Sequence, residues 1–478
     1  MNFSRRDAVL SSLFGAGLLG LRALATGLPA ALLANPRKAL ADGAATSCAP
    51  DRAQYLIIST TASGDPLDCN VPGTYDDPGI LHPADPAMAA TMLSLAGKNF
   101  TAAAPWASLS QSVLDRTCFF HNATNTPVHP KQPEVMALNG ALQTRNAAGG
   151  PVPDMLVSTL AALLAPCLGT IQKEPITIGA TSPSEALTYQ GRVQPILSPV
   201  GLRAILTDAP GPLTTLEKLR DADLDRMNAL FRESGTAAQR AFLDRYASSQ
   251  TQVRALSQNL LGALAGLKDN SPASQVIAAV AMIQMNVAPV VAVHIPFGGD
   301  NHFDKGLAAE TTQTVAGVAT IAQLMQALAD ANLQDRVTFA SANVFGRTKS
   351  VLHKGGIDGR DHNQNHHCAI LIGKGVAGGV VGGVTPMQGD YGAMNIDSAT
   401  GAGSASGDIG INDMLASYGK TLGAIVGVDA AKLDGLITGG KLVKAAVAAL
   451  DDVGLTRSRS EEPPPAAPEP LSASARQS

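Results

Sequence analysis

Residues 290–295, Val-Val-Ala-Val-His-Ile, form a continuous apolar run, the pattern of a strand covered on both faces. Residues 310–332 follow with Val315, Val318, Ile321, Met325 and Leu328 on one helical stripe. Val337-Thr338-Phe339-Ala340-Ser341 then reads as a second strand. A strand, a helix and a strand at this spacing make a βαβ unit, which requires parallel pairing and helices packed on the sheet. Residues 54–59, 117–120 and 368–372 read as further strands. Between roughly 212 and 285 the apolar residues Leu216, Leu219, Leu224, Met227 and Leu230 recur at helical spacing. The expected fold class is therefore α/β, a mostly parallel sheet flanked by helices, with a helical insertion.

The two ends carry different signals. Arg5-Arg6 precedes a weakly hydrophobic stretch from 8 to 34, and Ala39-Leu40-Ala41 offers a cleavage site before Asp42. That is the pattern of a twin-arginine export signal over 1–41. Arg22 and Pro29 interrupt the run and argue against a membrane anchor, because a charge at mid-membrane costs roughly 2.5–3.5 kcal/mol. The expected destination is the periplasm or the exterior, reached through the twin-arginine export machinery, with no stable membrane span after cleavage. At the other end, 456–478 is rich in Pro, Ser and Ala and reads as a disordered tail. The main domain is expected over 42–455.

Charge excludes some functions. The net charge is −4 and only 15% of residues are charged, so nothing points to nucleic acid as a partner. Five cysteines, at 48, 69, 118, 167 and 368, contain no C-x-x-C pair, which disfavours a thiolate zinc site. An oxidising compartment allows one or two disulfides and leaves at least one thiol unpaired.

Dense polar clusters follow three of the strands. Asp65, Asp68, Cys69 and Asn70 come after the first, and Asp300, Asn301, His302 and Asp304 after the strand at 290. Asn343, Arg347, Thr348, Arg360, Asp361 and His362 come after the strand at 337. Ligands of open α/β sheets bind outside the carboxyl ends of the strands, so these clusters can converge on one site. Asp68, Asp300, His302, Asp361 and His362 are the expected metal ligands. Mixed carboxylate and imidazole sets suit Zn, Mn or Fe better than Ca or Mg. Five ligands exceed what one tetrahedral ion takes and suit two divalent ions about 3.5–4 Å apart. Arg347 is placed to hold an anionic substrate oxygen by a bidentate contact.

Each residue also has a plainer reading. Asp and His in glycine-rich loops often close turns or cap helices, and Asp304 is placed to cap the helix that follows. His294 lies inside an apolar run and reads as a satisfied core histidine. For His353, His366 and His367 the expectation is mostly a solvated loop, with extra ligation the alternative. Residues 373–378 match G-x-G-x-x-G, but a dinucleotide fingerprint must open a helix. The glycine-rich segment that follows, to Pro386, reads instead as turn and strand.

Phe345-Gly346-Arg347-Thr348, Gly359-Arg360-Asp361-His362 and the glycines at 373, 375, 378 and 379 together resemble the C-terminal signature of the DUF1501 family. Gly299-Asp300-Asn301-His302 resembles its upstream Asp/His element, and Asp68 its Asp after the first strand. His121-Asn122 and His129 resemble a further histidine-containing element. The resemblance runs from about 55 to 391 and is strongest over 297–392. It implies an alkaline-phosphatase-like fold and a two-metal site that hydrolyses or transfers phosphate or sulfate esters. Asp361 and His362 would then serve one ion, Asp300 and His302 the other, and Asp68 would be the strand-one ligand. Two positions depart from the family pattern: Val344 stands where Glu is usual, and Asn363 where Trp is common.

Superfamily enzymes use a hydroxyl or modified Cys nucleophile at a helix start. Cys69 lacks the sulfatase pattern around it, whereas Thr124 and Thr126 lie near His121 and His129. The residues expected to act on substrate are Arg347, Thr126 and His129. The expected function is an exported metal-dependent hydrolase of phosphate or sulfate esters. The alternative is a non-catalytic exported binding or envelope protein that keeps the fold. A third reading is an iron protein, since two His and carboxylates also suit Fe.

Overall fold

A computed structural model describes residue 48 and residues 50–138, 154–180, 185–207, 264–297, 299–352 and 359–448, with scattered positions from 226 to 262. These residues fall in a unit that ends at Ala448. The export signal at 1–41, the tail at 456–478, His353 and most of the expected helical stretch lie outside the described residues. The end of that stretch is a helix, Pro272–Gln284. Among the described residues no helix is long and apolar enough to cross a membrane.

An eight-stranded sheet organises the chain. Its strands, in chain order, are β1 (Tyr55–Thr61), β2 (Thr117–Asn122), β3 (Ile176–Ile178), β4 (Ile196–Leu197), β5 (Val290–Val293) and β6 (Val337–Asn343). A two-stranded antiparallel ribbon follows, β7 (Gly346–Leu352) and β8 (Arg360–Asn363). The chain then returns to the main sheet as β9 (His367–Ile372) and β10 (Gly379–Val381). The spatial order is β10-β2-β9-β6-β1-β5-β3-β4.

β1 lies between β6 and β5 and is parallel to both, with Tyr55 opposite Val337 and Leu56 opposite Val290. All seven of its residues are buried, which explains why it shows no polar alternation. Burying Leu56, Ile57 and Ile58 completely contributes on the order of 1.5–3 kcal/mol each. The crossover between β5 and β6 is the helix Ala308–Asp330, as the sequence pattern requires.

The strand at 368–372 forms, but it runs antiparallel to β6 and to β2, with Phe339 opposite Ile372 and Cys368 opposite His121. The reason is the connection. The β7–β8 ribbon turns the chain back at the edge where β6 ended, and without a crossover helix it can only re-enter in the opposite sense. Residues 373–378 lead into β10 and not into a helix. The Asp304 carboxylate accepts from the Ala309 and Glu310 amides at 2.8 and 2.9 Å, so it caps the crossover helix as expected.

β2 runs parallel to β10 and antiparallel to β9, while β9 is antiparallel to β6. β1, β2, β5 and β6 therefore end at one edge of the sheet. The loops leaving that edge carry His129, Asp300 and His302, and the β7–β8 ribbon adds Arg347, Asp361 and His362.

Candidate metal centre

Three imidazole nitrogens approach a single carboxylate oxygen. His302 Nε2 lies 3.2 Å from Asp300 Oδ1, His362 Nε2 lies 3.8 Å from it and His129 Nε2 3.9 Å. His302 Nε2 and His362 Nε2 are 2.9 Å apart. Among the described residues, His129, Asp300 and His362 form the group whose donor atoms all lie within 4.8 Å of one another. Metal–nitrogen bonds of about 2.0–2.1 Å imply donor–donor edges of roughly 3.3 Å, within the observed spread.

The other nitrogen of each ring fixes its tautomer. His129 Nδ1 lies 2.5 Å from the Ala62 carbonyl and His362 Nδ1 lies 2.6 Å from the Pro127 carbonyl. His302 Nδ1 lies 3.1 Å from Asp361 Oδ1. Carbonyls and carboxylates only accept, so each Nδ1 donates and each neutral ring keeps its lone pair on Nε2. Burial lowers the His362 pKa, which favours the neutral form. With the three rings neutral, three lone pairs and a carboxylate face one another, an arrangement that a cation placed among them stabilises. An acceptor behind each ligating ring is the usual support of a metal-binding histidine.

Arg347 anchors the carboxylate. It is fully buried, and its Nη2 donates to the Ser63 and Gly299 carbonyls at 2.5 and 2.7 Å and to Asp300 Oδ1 at 3.1 Å. Nη1 donates to the Arg360 carbonyl at 3.3 Å, while Nε is buried without a partner. Partial burial pushes the Asp300 carboxyl up, and Arg347 outweighs that and holds it below its usual range. The Asp300 side chain stays 57% exposed, so one side of the cluster opens to solvent. Phe345 stacks on His362 at 4.1 Å and meets His129 edge-on at 4.9 Å, a wall that sets both ring planes.

The expected ligands thus separate. Asp300, His302 and His362 meet, and His129, expected to act on substrate, lies in the same ring cluster. Asp361 sits behind His302. Asp68 is elsewhere: fully buried, its Oδ2 accepts from Lys349 Nζ at 2.6 Å and from His366 Nδ1 at 3.1 Å. Burial raises the Asp68 carboxyl, but Lys349 and His366 prevail and hold it below the carboxylate range. Thr126 is buried, and its hydroxyl accepts from the Val128 amide at 3.3 Å. Thr124 is fully buried and donates to the Thr126 carbonyl at 3.4 Å.

The solvated loop expected for His366 and His367 is not what forms. Both are buried, at the entry to β9. His366 Nε2 meets His121 Nδ1 at 2.9 Å, and His121 Nε2 donates to the Pro72 carbonyl at 2.8 Å. Strand pairing removes water from this corner despite its polar sequence. His294 lies just past β5 and donates from Nδ1 to the Thr60 carbonyl at 2.7 Å. Its Nε2 is buried without a partner, so this core histidine is only half satisfied. Lys349 and the carbonyls of Ala62 and Pro127 were invisible to sequence reasoning, because each acts through a partner distant in the chain, and Phe345 entered only as part of the family resemblance. Cys48 and Cys167 form a disulfide, and Cys69, Cys118 and Cys368 are buried free thiols.

No curated protein matches the chain. Residues 213–399, which carry Asp300, His302, Arg347, Asp361 and His362, match the family model described as Protein of unknown function (DUF1501) and are similar to that family.

Proposed function

We propose that the chain is an exported hydrolase of phosphate or sulfate esters that works with a divalent Zn, Mn or Fe ion held by His129, His302, His362 and Asp300. One observation carries the reading: three imidazole lone pairs and a carboxylate oxygen converge, and each ring is fixed from behind by an acceptor. Three nitrogens and one oxygen suit these ions better than Ca or Mg. When bound, such an ion supplies Lewis-acid polarisation of an ester oxygen. Arg347 keeps the Asp300 carboxylate turned to the cluster, and Asp361 keeps His302 in the tautomer that ligates. The exposed side of Asp300 leaves room for substrate to approach. Thr126 is the proposed nucleophile, because the Val128 amide that donates to its Oγ1 would also stabilise negative charge there.

Export is part of the same proposal. The disulfide between Cys48 and Cys167 suits an oxidising compartment, in keeping with the paired arginines at 5 and 6. The alkaline-phosphatase-like assignment is supported by the parallel strands ending at the edge that carries the cluster.

The test is hydrolysis of p-nitrophenyl phosphate and p-nitrophenyl sulfate by the purified chain, with and without chelator, beside His362→Ala. Hydrolysis lost in both cases supports the reading. Hydrolysis indifferent to both overturns it. A second reading, a non-catalytic exported protein, is favoured by Val344, which is fully buried where the resembling sequences usually carry Glu. No hydrolysis of either ester by metal-loaded protein would support it.

A further inference from the structure

We infer that Lys349 stands in for a second metal ion at Asp68, so that the chain holds one ion, at the three-histidine cluster, where the family resemblance implies two. This rests on the reading of His129, His302, His362 and Asp300 as a metal site. Asp68 is the residue that the resemblance makes the strand-one ligand. In the fold its Oδ2 already has two partners, the Lys349 ammonium at 2.6 Å and His366 Nδ1 at 3.1 Å. Lys349 is itself fully buried and donates a second bond to the Arg347 carbonyl at 3.1 Å. A buried ammonium is strongly penalised unless a negative charge meets it. The 2.6 Å contact therefore pairs the carboxylate with a basic group of the chain itself.

Two further observations close the site to an ion. A Cβ at Gly346 would come within 2.4 Å of Asp68 Oδ2 and 2.1 Å of the His366 carbonyl, so the β7 backbone fills the space beside the carboxylate. The two histidines near Asp68 are each held by one ring nitrogen, His366 Nδ1 by Asp68 itself. His366 Nε2 faces His121 Nδ1, and His121 Nε2 donates to the Pro72 carbonyl. Neither ring can turn to a new ligand without breaking a buried hydrogen bond. A divalent ion placed here would also meet the Lys349 ammonium as a like charge in a fully buried site, where screening is weak. β7 thus delivers two fixed cations two residues apart: Arg347 to Asp300 at the open cluster, and Lys349 to Asp68 in the interior.

The experiment counts metal in the full chain. Protein is stripped, reloaded with excess Zn(II) or Mn(II), desalted and measured by elemental mass spectrometry. The variants are His362→Ala and the double variant Asp68→Asn with Lys349→Met, which removes both charges together so that neither is left buried alone. One equivalent in the wild type, lost in His362→Ala and kept in the double variant, is the expected result. Two equivalents in the wild type, with one lost in the double variant, overturn the inference and leave the three-histidine site standing. No metal in the wild type overturns that site and the inference with it. If the double variant does not fold, the wild-type count still decides, and an anomalous-scattering map locates the ion: a peak at His362 alone supports the inference, and a second at Asp68 overturns it.

Discussion

Asp361 and His362 are neighbours in sequence with different work in space. His362 turns Nε2 toward Asp300, whereas the Asp361 carboxylate reaches His302 Nδ1, the ring nitrogen opposite the cluster. The two positions should therefore respond differently to substitution. His362→Ala removes a donor atom and is expected to abolish tight metal binding. Asp361→Asn keeps all the donors and is expected to weaken affinity by roughly 10–100-fold, the usual effect of losing an outer support. Competition against a chelator of known affinity reads both, and equal losses would refute the assignment. At this scale the sequence was informative about residue identity. Polar clusters after strand ends pointed to Asp300, His302 and His362, and His129 was singled out beside them. It did not separate ligand from support, because Ala62, Pro127 and Asp361 reach these rings from segments distant in the chain. Nor could it tell that Asp68 would find Lys349.

The position of the β7–β8 ribbon depends on an ion pair with the crossover helix. Glu310 sits in that helix's first turn and Arg360 opens β8, and both are fully buried. Arg360 Nε donates to Glu310 Oε2 at 2.5 Å and Nη2 to Oε1 at 3.1 Å, while Asn70 donates to Oε1 at 2.7 Å. Removing one partner strands a buried charge. Arg360→Met is expected to destabilise the chain by about 3–5 kcal/mol, and adding Glu310→Leu to recover most of that. Chemical denaturation of the three proteins checks it, and a double variant no better than the single would sink the idea. The strands and the crossover helix were legible, since apolar runs and a helical stripe declare buried elements. The sense of β9 was not. An apolar run reads the same in either direction, and only the short return through the ribbon decides it. The buried home of His366 was hidden for a related reason, because the polar residues around it resemble a loop until β2 pairs beside them.

The disulfide acts on the whole unit by closing a separation of 119 residues between Cys48 and Cys167. A closure of that size restricts the unfolded chain strongly, and Cys167→Ser is expected to cost about 2–5 kcal/mol. The same loss should follow reduction of the wild type, and an unchanged denaturation midpoint in both would argue that the bond does not form in solution.

Acid should act on the whole unit as well, through histidines that folding keeps neutral. Burial lowers the pKa of His121 and of His367 from 6.5 to about 4. In the unfolded chain both rings take a proton as pH falls through 6.5, while in the folded chain they do not until about 4. The unfolded state therefore binds more protons across that window, and stability falls as pH falls. Their contribution is fully present above 6.5 and declines steadily toward 4. At pH 5 each ring removes about 2 kcal/mol, at 1.36 kcal/mol per pH unit. Two such losses are a large share of an ordinary stability of about 5–15 kcal/mol. Urea denaturation at pH 7, 6 and 5, with chelator present throughout so that metal release is not counted, should show a midpoint that starts to drop near 6.5. A midpoint flat from 7 to 5 would mean that these rings are not buried as neutral groups. His367→Gln gives the internal control. It removes one titrating ring, so the drop between pH 7 and 5 should be smaller than in the wild type by about 2 kcal/mol, whatever the variant does to stability at neutral pH.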